Sequence, residues 1–327
     1  MSTSTSTGSS NGRAGAGRAT APAPTAHTAL RSVRDRVAAQ IVGRERELDL
    51  VLAAVAAGRD LVLEGPPGTS KTTMLKAITA QWGIPLLFVE GNADLTPAKI
   101  VGHHNPARVL REDYSADTFV PGPLVQAMRD GGFLYIEEFN RAPEDTLNTL
   151  LTAIADRSIA VPRVGTIDAA STFRVIASMN PFDNVGTTRL STSVHDRLCR
   201  LSIGYQDESA ERAVVALRAP DLPGGLAGRL VPDAVAVTRA TRGHPDVRQG
   251  SSVRGAIDTA LVAAELAALR GVTSADDERY PATVLDAMIV ALSGRIHLDE
   301  AAETTPEQVL TEIFQDRFML TGADRPG

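Results

Sequence analysis

The run GPPGTSKT at residues 65–72 sets a lysine and a threonine directly behind a glycine- and proline-rich turn. A short apolar stretch precedes it and a helix-like stretch follows. A loop so placed aims backbone N–H groups at a phosphate from a helix N-terminus, where the helix dipole also favours anions. Gly65, Pro66, Pro67, Gly68, Thr69, Ser70 and Thr73 would line that cradle. Lys71 would reach the β- and γ-phosphates of ATP, and the Thr72 hydroxyl would ligate Mg²⁺. The pattern G-x-x-x-x-G-K-[ST] expects glycine where Ser70 stands. The plainer alternative is a Gly/Pro turn with a solvated lysine; the strand–loop–helix setting favours phosphate binding.

FLYIEEFNRAP at 133–143 puts two acids at the end of an apolar strand. Carboxylates there, beside a phosphate loop, can hold a Mg²⁺ ion and an attacking water. Glu137 is the expected metal-side acid and Glu138 the expected base that polarises the water. Aspartate is usual at the first position, so Glu137 is one methylene long. In FRVIASMNP at 173–181, Asn180 ends another strand and could bond the water or the γ-phosphate. Asn-Pro alone is only a turn signal, so this reading depends on the first two motifs.

STSVHDRLCRLSI supplies Asp196, Arg197 and Arg200. An arginine at a subunit edge can reach a neighbour's γ-phosphate; the alternative is a surface arginine paired with Asp196. Arg197 is preferred over Arg200, and both stay open. Arg254, in QGSSVRGAID, falls in the first turn of a helix with Ser251 or Ser252 as its N-cap, where it could fold back onto the nucleotide. His103 and His104 lack the i, i+4 spacing of a helical metal pair and read as solvated loop residues. Trp82 reads as packing at a helix end, and Cys199, the single cysteine, as a small core residue.

Those residues need a scaffold. Apolar stretches at 60–64, 85–90, 133–136, 173–179 and 201–203 read as strands, and 71–81 and 144–156 as helices. Their alternation predicts an α/β unit with a parallel sheet covered on both faces. Residues 158–161 and 165–168 would pair as a hairpin around PRVG. Structure begins with a helix over 30–40, and 41–48 leads into another ending near Gly58. After residue 205 the stretches 208–218, 232–242, 252–270 and 281–293 keep helical spacing without intervening strands, which predicts a small all-helical domain. The division expected is a disordered low-complexity tail over 1–29, a nucleotide-binding domain over 30–205 and a helical lid over 206–327. The long polar segment 91–123 reads as a functional insertion facing a pore or a client.

The 327 residues are 43% hydrophobic and 22% charged, ordinary for a soluble globular protein. A net charge of -6 and a pI of about 5.6 weigh against duplex DNA as partner, so no nucleic acid is expected. One cysteine forbids an intrachain disulfide. No apolar run has the length of a membrane span and no secretory layout opens the chain; a cytoplasmic location is expected.

Taken together these motifs resemble the MoxR branch of the AAA+ ATPases over roughly residues 41–293. IVGRERELDLVLAAVAAGRDLVLEG is similar to the family's box before the phosphate loop, and that loop often lacks the second glycine. GPLVQAMRDGGFLYIEEFNRAPEDTLNTLLTAI, with Asn140, Arg141 and Pro143, resembles the stretch around the acid pair. ASMNPFDNVGTTRLSTSVHDRL resembles the sensor region, and GSSVRGAIDTALVAAELAALRG the lid helix with its sensor arginine. Glu137 for Asp and Leu198 for Phe depart from the pattern.

The resemblance implies an AAA+ P-loop sheet with a helical lid and a hexameric ring with ATP and Mg²⁺ between subunits. It also implies a chaperone-like role on a protein client, often a metalloenzyme in maturation, with a partner bearing a von Willebrand A-type domain. LLFVEGNADLTPAKIVGH and FLYIEEFNRAPEDTLN are most similar to the ATPase of carbon monoxide dehydrogenase maturation, which would make a molybdenum hydroxylase the client. Gas-vesicle and rubisco-activation ATPases of the branch are alternatives, as is a nucleotide-gated scaffold with little turnover.

Overall fold

The computed structural model describes residues 26–112, 114–181 and 190–319. Helices α1 (Ala26–Ala38) and α2 (Glu45–Ala56) lead in. Strand β1 (Leu61–Glu64) runs through the glycine-rich loop into α3 (Lys71–Trp82), and β2 (Leu86–Glu90) follows. Four short elements come next: α4 (Pro97–Val101), β3 (Gly102–His104), α5 (Pro106–Glu112) and β4 (Phe119–Pro121). Then come α6 (Pro123–Asp130), β5 (Phe133–Glu137), α7 (Glu144–Asp156), the hairpin β6 (Ser158–Val161) and β7 (Gly165–Asp168), β8 (Arg174–Met179), α8 (Thr192–Arg197) and β9 (Cys199–Ser202). The remainder is chiefly helical: α9 (Glu208–Arg218), α10 (Gly224–Ala240), β10 (Val247–Gln249), α11 (Val253–Arg270), α12 (Tyr280–Leu292), β11 (His297–Leu298) and α13 (Pro306–Met319).

Five strands form one sheet in the order β2-β5-β8-β1-β9, and every pair is parallel. Side chains alternate across a strand, so each strand feeds two cores. Leu61, Leu63, Phe133, Tyr135 and Ile176 pack with α1, α2 and α3. Val62, Leu134, Ile136, Val175 and Ala177 pack with α6 and α7 on the other face. Burial on both faces is what a parallel sheet requires, and it explains the unbroken apolar runs in the sequence. The register sets Glu64 beside Met179 and Ser202, and Glu90 beside Glu137. The carboxyl ends therefore emerge along one edge, the side on which open α/β sheets bind ligands.

Helices α10 to α13 close over a separate apolar core that includes Leu230, Val235, Ala260, Val284, Met288 and Leu310. The connector between sheet and helices is held by charge. Glu211, 2% exposed, accepts from Arg239 at 3.0 Å and from Arg242 at 2.8 Å. Arg242 also donates to the Ser251 carbonyl at 2.7 Å and lies over the Tyr205 ring at 3.9 Å. From the other side, buried Arg44 donates to the Gly204 carbonyl at 2.8 Å.

Most expected elements recur within a residue or two, the β6–β7 hairpin and α7 with the expected bounds. Several expectations need correction. The first helix starts at Ala26, not at residue 30, and residues 1–25 of the expected tail lie outside the described residues. Segment 91–123 has its own secondary structure: β3 pairs antiparallel with β4. Gly102 sits there at φ +128, where a Cβ would press on the Gly122 nitrogen at 2.7 Å. Elements of three to seven residues are too short to show a period. His103 and His104 accordingly stand on β3, and His104 has both ring nitrogens within reach of Thr118 Oγ1 and the Pro162 carbonyl.

The helical part is not free of strands, because β10 pairs with β11. Helix α10 begins at Gly224 and runs through Pro232 rather than starting there. Proline forfeits the bond to the Gly228 carbonyl, but burial of Leu226, Leu230, Val231, Ala234 and Val235 along one face keeps the helix continuous. Cys199 is exposed on edge strand β9, not in the core.

Replacing Glu211 by alanine would leave Arg239 and Arg242 without their shared carboxylate. A loss of about 3–5 kcal/mol is expected in denaturant unfolding of the chain. A loss below about 1 kcal/mol, the range of surface pairs, would show that the cluster does not hold the connector.

Candidate functional site

The loop after β1 turns back on itself through two left-handed residues, Gly68 at φ +75 and Ser70 at φ +66. The sequence pattern asks for glycine at Ser70 because of this conformation, which costs an ordinary residue about 1–2 kcal/mol. At Gly65 a Cβ would strike the Ile203 carbonyl, so no side chain fits there. The Lys71 ammonium, 9% exposed, donates to the Gly65 and Pro66 carbonyls, each at 2.9 Å, and to Thr69 Oγ1 at 3.2 Å. Burial pulls its pKa down to about 8; Glu137 opposes the shift, and the cations Arg254 and Arg44 add to it.

The first acid meets α3 directly. Thr72 Oγ1 donates to Glu137 Oε1 at 3.0 Å and lies 3.1 Å from the Tyr135 hydroxyl, which is 2.9 Å from Ser178 Oγ. Tyr135 is wholly buried, and that burial raises its pKa. Straight after β5 the chain turns at Glu138, held left-handed at φ +52 and ψ +43, and Phe139–Arg141 forms a 3-10 turn. A strained turn at this point lets two consecutive acids, whose side chains a strand would send to opposite faces, line the same cavity. The Glu138 carboxylate lies 3.2 Å from the Arg141 guanidinium; both side chains are partly exposed, so the pair is weak.

Asn180 follows β8 at the same edge. Helix α11 contributes from above. A Cβ at Gly68 would collide with the Ser252 side chain and lie 3.5 Å from Arg254 Cγ, so the first turn of α11 rests on the phosphate loop. Ser252 occupies the N-cap position, but its side chain makes no capping bond there, and Ser251 Oγ is buried without a protein partner. These parts enclose a cavity of about 720 Å³, large enough for a cofactor-sized ligand.

Of the residues expected from sequence, Gly65, Pro67, Gly68, Thr69, Ser70, Lys71, Thr72, Thr73, Glu137, Glu138, Asn180 and Arg254 all line this cavity. Pro66 stands behind it, its carbonyl held by Lys71 and Thr69. Arg197 does not line it; exposed at the end of α8, it bonds Ser193 one turn back at 2.6 Å and 3.1 Å. Arg200 pairs with buried Glu64 at the end of β1. Sequence reading missed Arg248, Gln249, His297, Leu298 and Glu300, which the β10–β11 ladder and the turn after it bring to the rim. No spacing signal links two segments so far apart. Asn140 and Arg141 also line the cavity, and they did stand inside the recognisable acid stretch.

Chemically, the site offers a buried cation and backbone donors at a helix N-terminus, oxygen donors at Thr72 and Glu137, and a second carboxylate beside them. Residues 60–198 match the family described as AAA domain (dynein-related subfamily). The chain is 28% identical over 276 residues to the gas vesicle ATPase GvpN of Ancylobacter aquaticus, covering 79% of this chain and 73% of that protein. It is 26% identical over 322 residues to the chaperone MoxR1 of Mycobacterium tuberculosis, covering 88% of this chain and 81% of that one. Among solved structures, a point mutant of RuvB from Thermotoga maritima superposes with a TM-score of 0.52 at 17% identity, over 79% of this chain and 73% of that one, a likeness of fold alone. With its glycine-rich loop, paired acids and the start of α11 around one cavity, the chain matches the dynein-related AAA domain family over residues 60–198 and is similar to MoxR-type and gas vesicle ATPases over most of its length.

Proposed function

We propose that the chain is the ATP-driven subunit of a hexameric ring that remodels or matures a protein client, with residues 30–205 as its nucleotide-binding domain and 206–327 as its lid. The observation that carries this reading is the convergence of Lys71, Thr72, Glu137, Glu138, Asn180 and lid Arg254 on one cavity. Lys71 exchanges its loop carbonyls for the β- and γ-phosphates. Thr72 and Glu137 hold Mg²⁺: both are hard oxygen donors 3.0 Å apart. Among the described residues no group of three His, Cys, Asp or Glu side chains gathers. Such a pair fits an ion that takes one or two protein oxygens and completes its shell with phosphate and water. Bound there, the ion neutralises charge on the β- and γ-oxygens.

Glu138 polarises the attacking water once it leaves Arg141, and Asn180 orients that water. Arg254 reads the γ-phosphate from the lid. Arg197, exposed and away from its own cavity, acts on the neighbouring subunit's nucleotide; the pairing of Arg200 with Glu64 supports choosing Arg197. The 91–123 segment, which exposes Leu110, Tyr114 and Val120, faces the client. A cytoplasmic location fits this role.

For the client, the resemblance favours a molybdenum hydroxylase such as carbon monoxide dehydrogenase, with a von Willebrand A-type partner. A relative named as a gas vesicle ATPase supports a second reading, gas-vesicle assembly. Affinity purification from native lysate separates them. Recovery of a molybdenum hydroxylase is expected, and gas-vesicle or rubisco subunits in its place would overturn the first reading.

Steady-state Mg²⁺-dependent hydrolysis tests the site. Lys71→Ala is expected to abolish ATP binding. Glu138→Gln should keep binding and lose at least about 100-fold in turnover. A Glu138→Gln protein as fast as its parent would remove Glu138 from the base's role.

The lowered pKa of Lys71 gives a pH test. Bound phosphate favours the protonated amine, so above about pH 8 binding must take up a proton. ATP affinity should then fall by up to about tenfold per pH unit above that point. Equal dissociation constants at about pH 7 and about pH 9.5 would contradict this account of the loop.

A further inference from the structure

Tyr135 sits where strand alternation calls for an apolar side chain, at the centre of β5 among Leu134, Ile136 and Phe133. Its ring behaves as one, packing on Phe88 with centroids 5.7 Å apart. Its hydroxyl does something else. Ser178 Oγ lies 2.9 Å on one side and Thr72 Oγ1 3.1 Å on the other, and Thr72 Oγ1 is also 3.0 Å from Glu137 Oε1. An ionised carboxylate can only accept, so the single Thr72 proton goes to Glu137. Thr72 oxygen can then accept from Tyr135, whose hydroxyl also stands within hydrogen-bond reach of Glu137, and Tyr135 can accept from Ser178. The three hydroxyls form one directed chain, Ser178 to Tyr135 to Thr72, ending on the carboxylate, and each bond polarises the next.

A hydroxyl oxygen has two acceptor positions. Tyr135 takes one of those on Thr72 and leaves one. We propose that Tyr135 is a positioning residue for the metal: it locks the Thr72 hydroxyl with its proton on Glu137 and its remaining lone pair free for Mg²⁺. The inference rests on Thr72 and Glu137 being the metal's ligands. It makes β8 part of the metal site through Ser178, two residues before Asn180. The arrangement follows from face alternation: Tyr135, Glu137 and Ser178 all lie on the sheet face that carries α3, whose first turn holds Thr72.

The test compares the dissociation constant of a fluorescent ATP analogue in EDTA and in saturating Mg²⁺, using the full chain, Tyr135→Phe and Ser178→Ala. Phenylalanine keeps the ring packing and removes only the hydroxyl. The parent should bind more tightly with Mg²⁺. In Tyr135→Phe that tightening should shrink by about tenfold or vanish, as when an outer partner of a metal ligand is lost, while the constant in EDTA stays put. Ser178→Ala, which removes the head of the chain without touching the ring, should move the ratio the same way by less. Should Tyr135→Phe not fold, Ser178→Ala carries the test by itself, and an unmoved ratio there would overturn the proposal. A Tyr135→Phe ratio equal to the parent's would overturn the role of Tyr135 alone. Equal weakening with and without Mg²⁺ would show a merely structural tyrosine and overturn it too. A parent indifferent to Mg²⁺ would overturn the metal reading and this proposal with it.

Discussion

A buried ammonium must find oxygens, and Lys71 finds them in the backbone of its own loop. Much else follows from that requirement. To bring the Gly65 and Pro66 carbonyls to a side chain five and six residues on, the chain must curl tightly, and it does so through left-handed Gly68 and Ser70. The curl needs a fixed start and a fixed end, which β1 and α3 provide. It ends at the N-terminus of α3, where a helix favours a phosphate. A site whose cation is held by exchangeable backbone acceptors is stable alone and ready to trade them for an anion.

The opposing wall is built on the same logic of tight backbone turns. Glu138 adopts a conformation rare for a side chain-bearing residue, and Gly91 crosses so near that a Cβ would meet the Glu138 and Glu137 carbonyls. Strain of this kind persists only where surrounding structure over-determines it, here β5 and β8, whose central residues are buried. The hydroxyl chain from Ser178 to Glu137 then ties the two strands to α3. The first turn of α3, the acid and β8 are one hydrogen-bonded assembly, not three neighbours.

The C-terminal helical region belongs to the site through electrostatics as well as contact. Glu211 gathers Arg239 and Arg242, and Arg242 reaches Ser251 at the start of α11, the helix whose first turn rests on Gly68. Arg44, far back in the chain, grips the connector at Gly204.

Taken alone, the sequence determined the order of chemistry along the chain. The loop, the acid pair, Asn180 and Arg254 were legible because each is a local pattern: a turn between a strand and a helix, a strand end, a helix start. The parallel sheet was legible from the spacing of its apolar runs. Tertiary structure decided what local patterns cannot encode. The role of Tyr135 is invisible in an apolar strand, since only sheet register brings its hydroxyl between Ser178 and Thr72. The β10–β11 ladder joins segments about fifty residues apart in sequence, too short to show a period, yet it supplies the cavity's far rim. Cys199 looked apolar by its neighbours, and only the sheet order made β9 an edge and left it exposed. Residue types specify which groups are available; the sheet's order and register specify which of them meet.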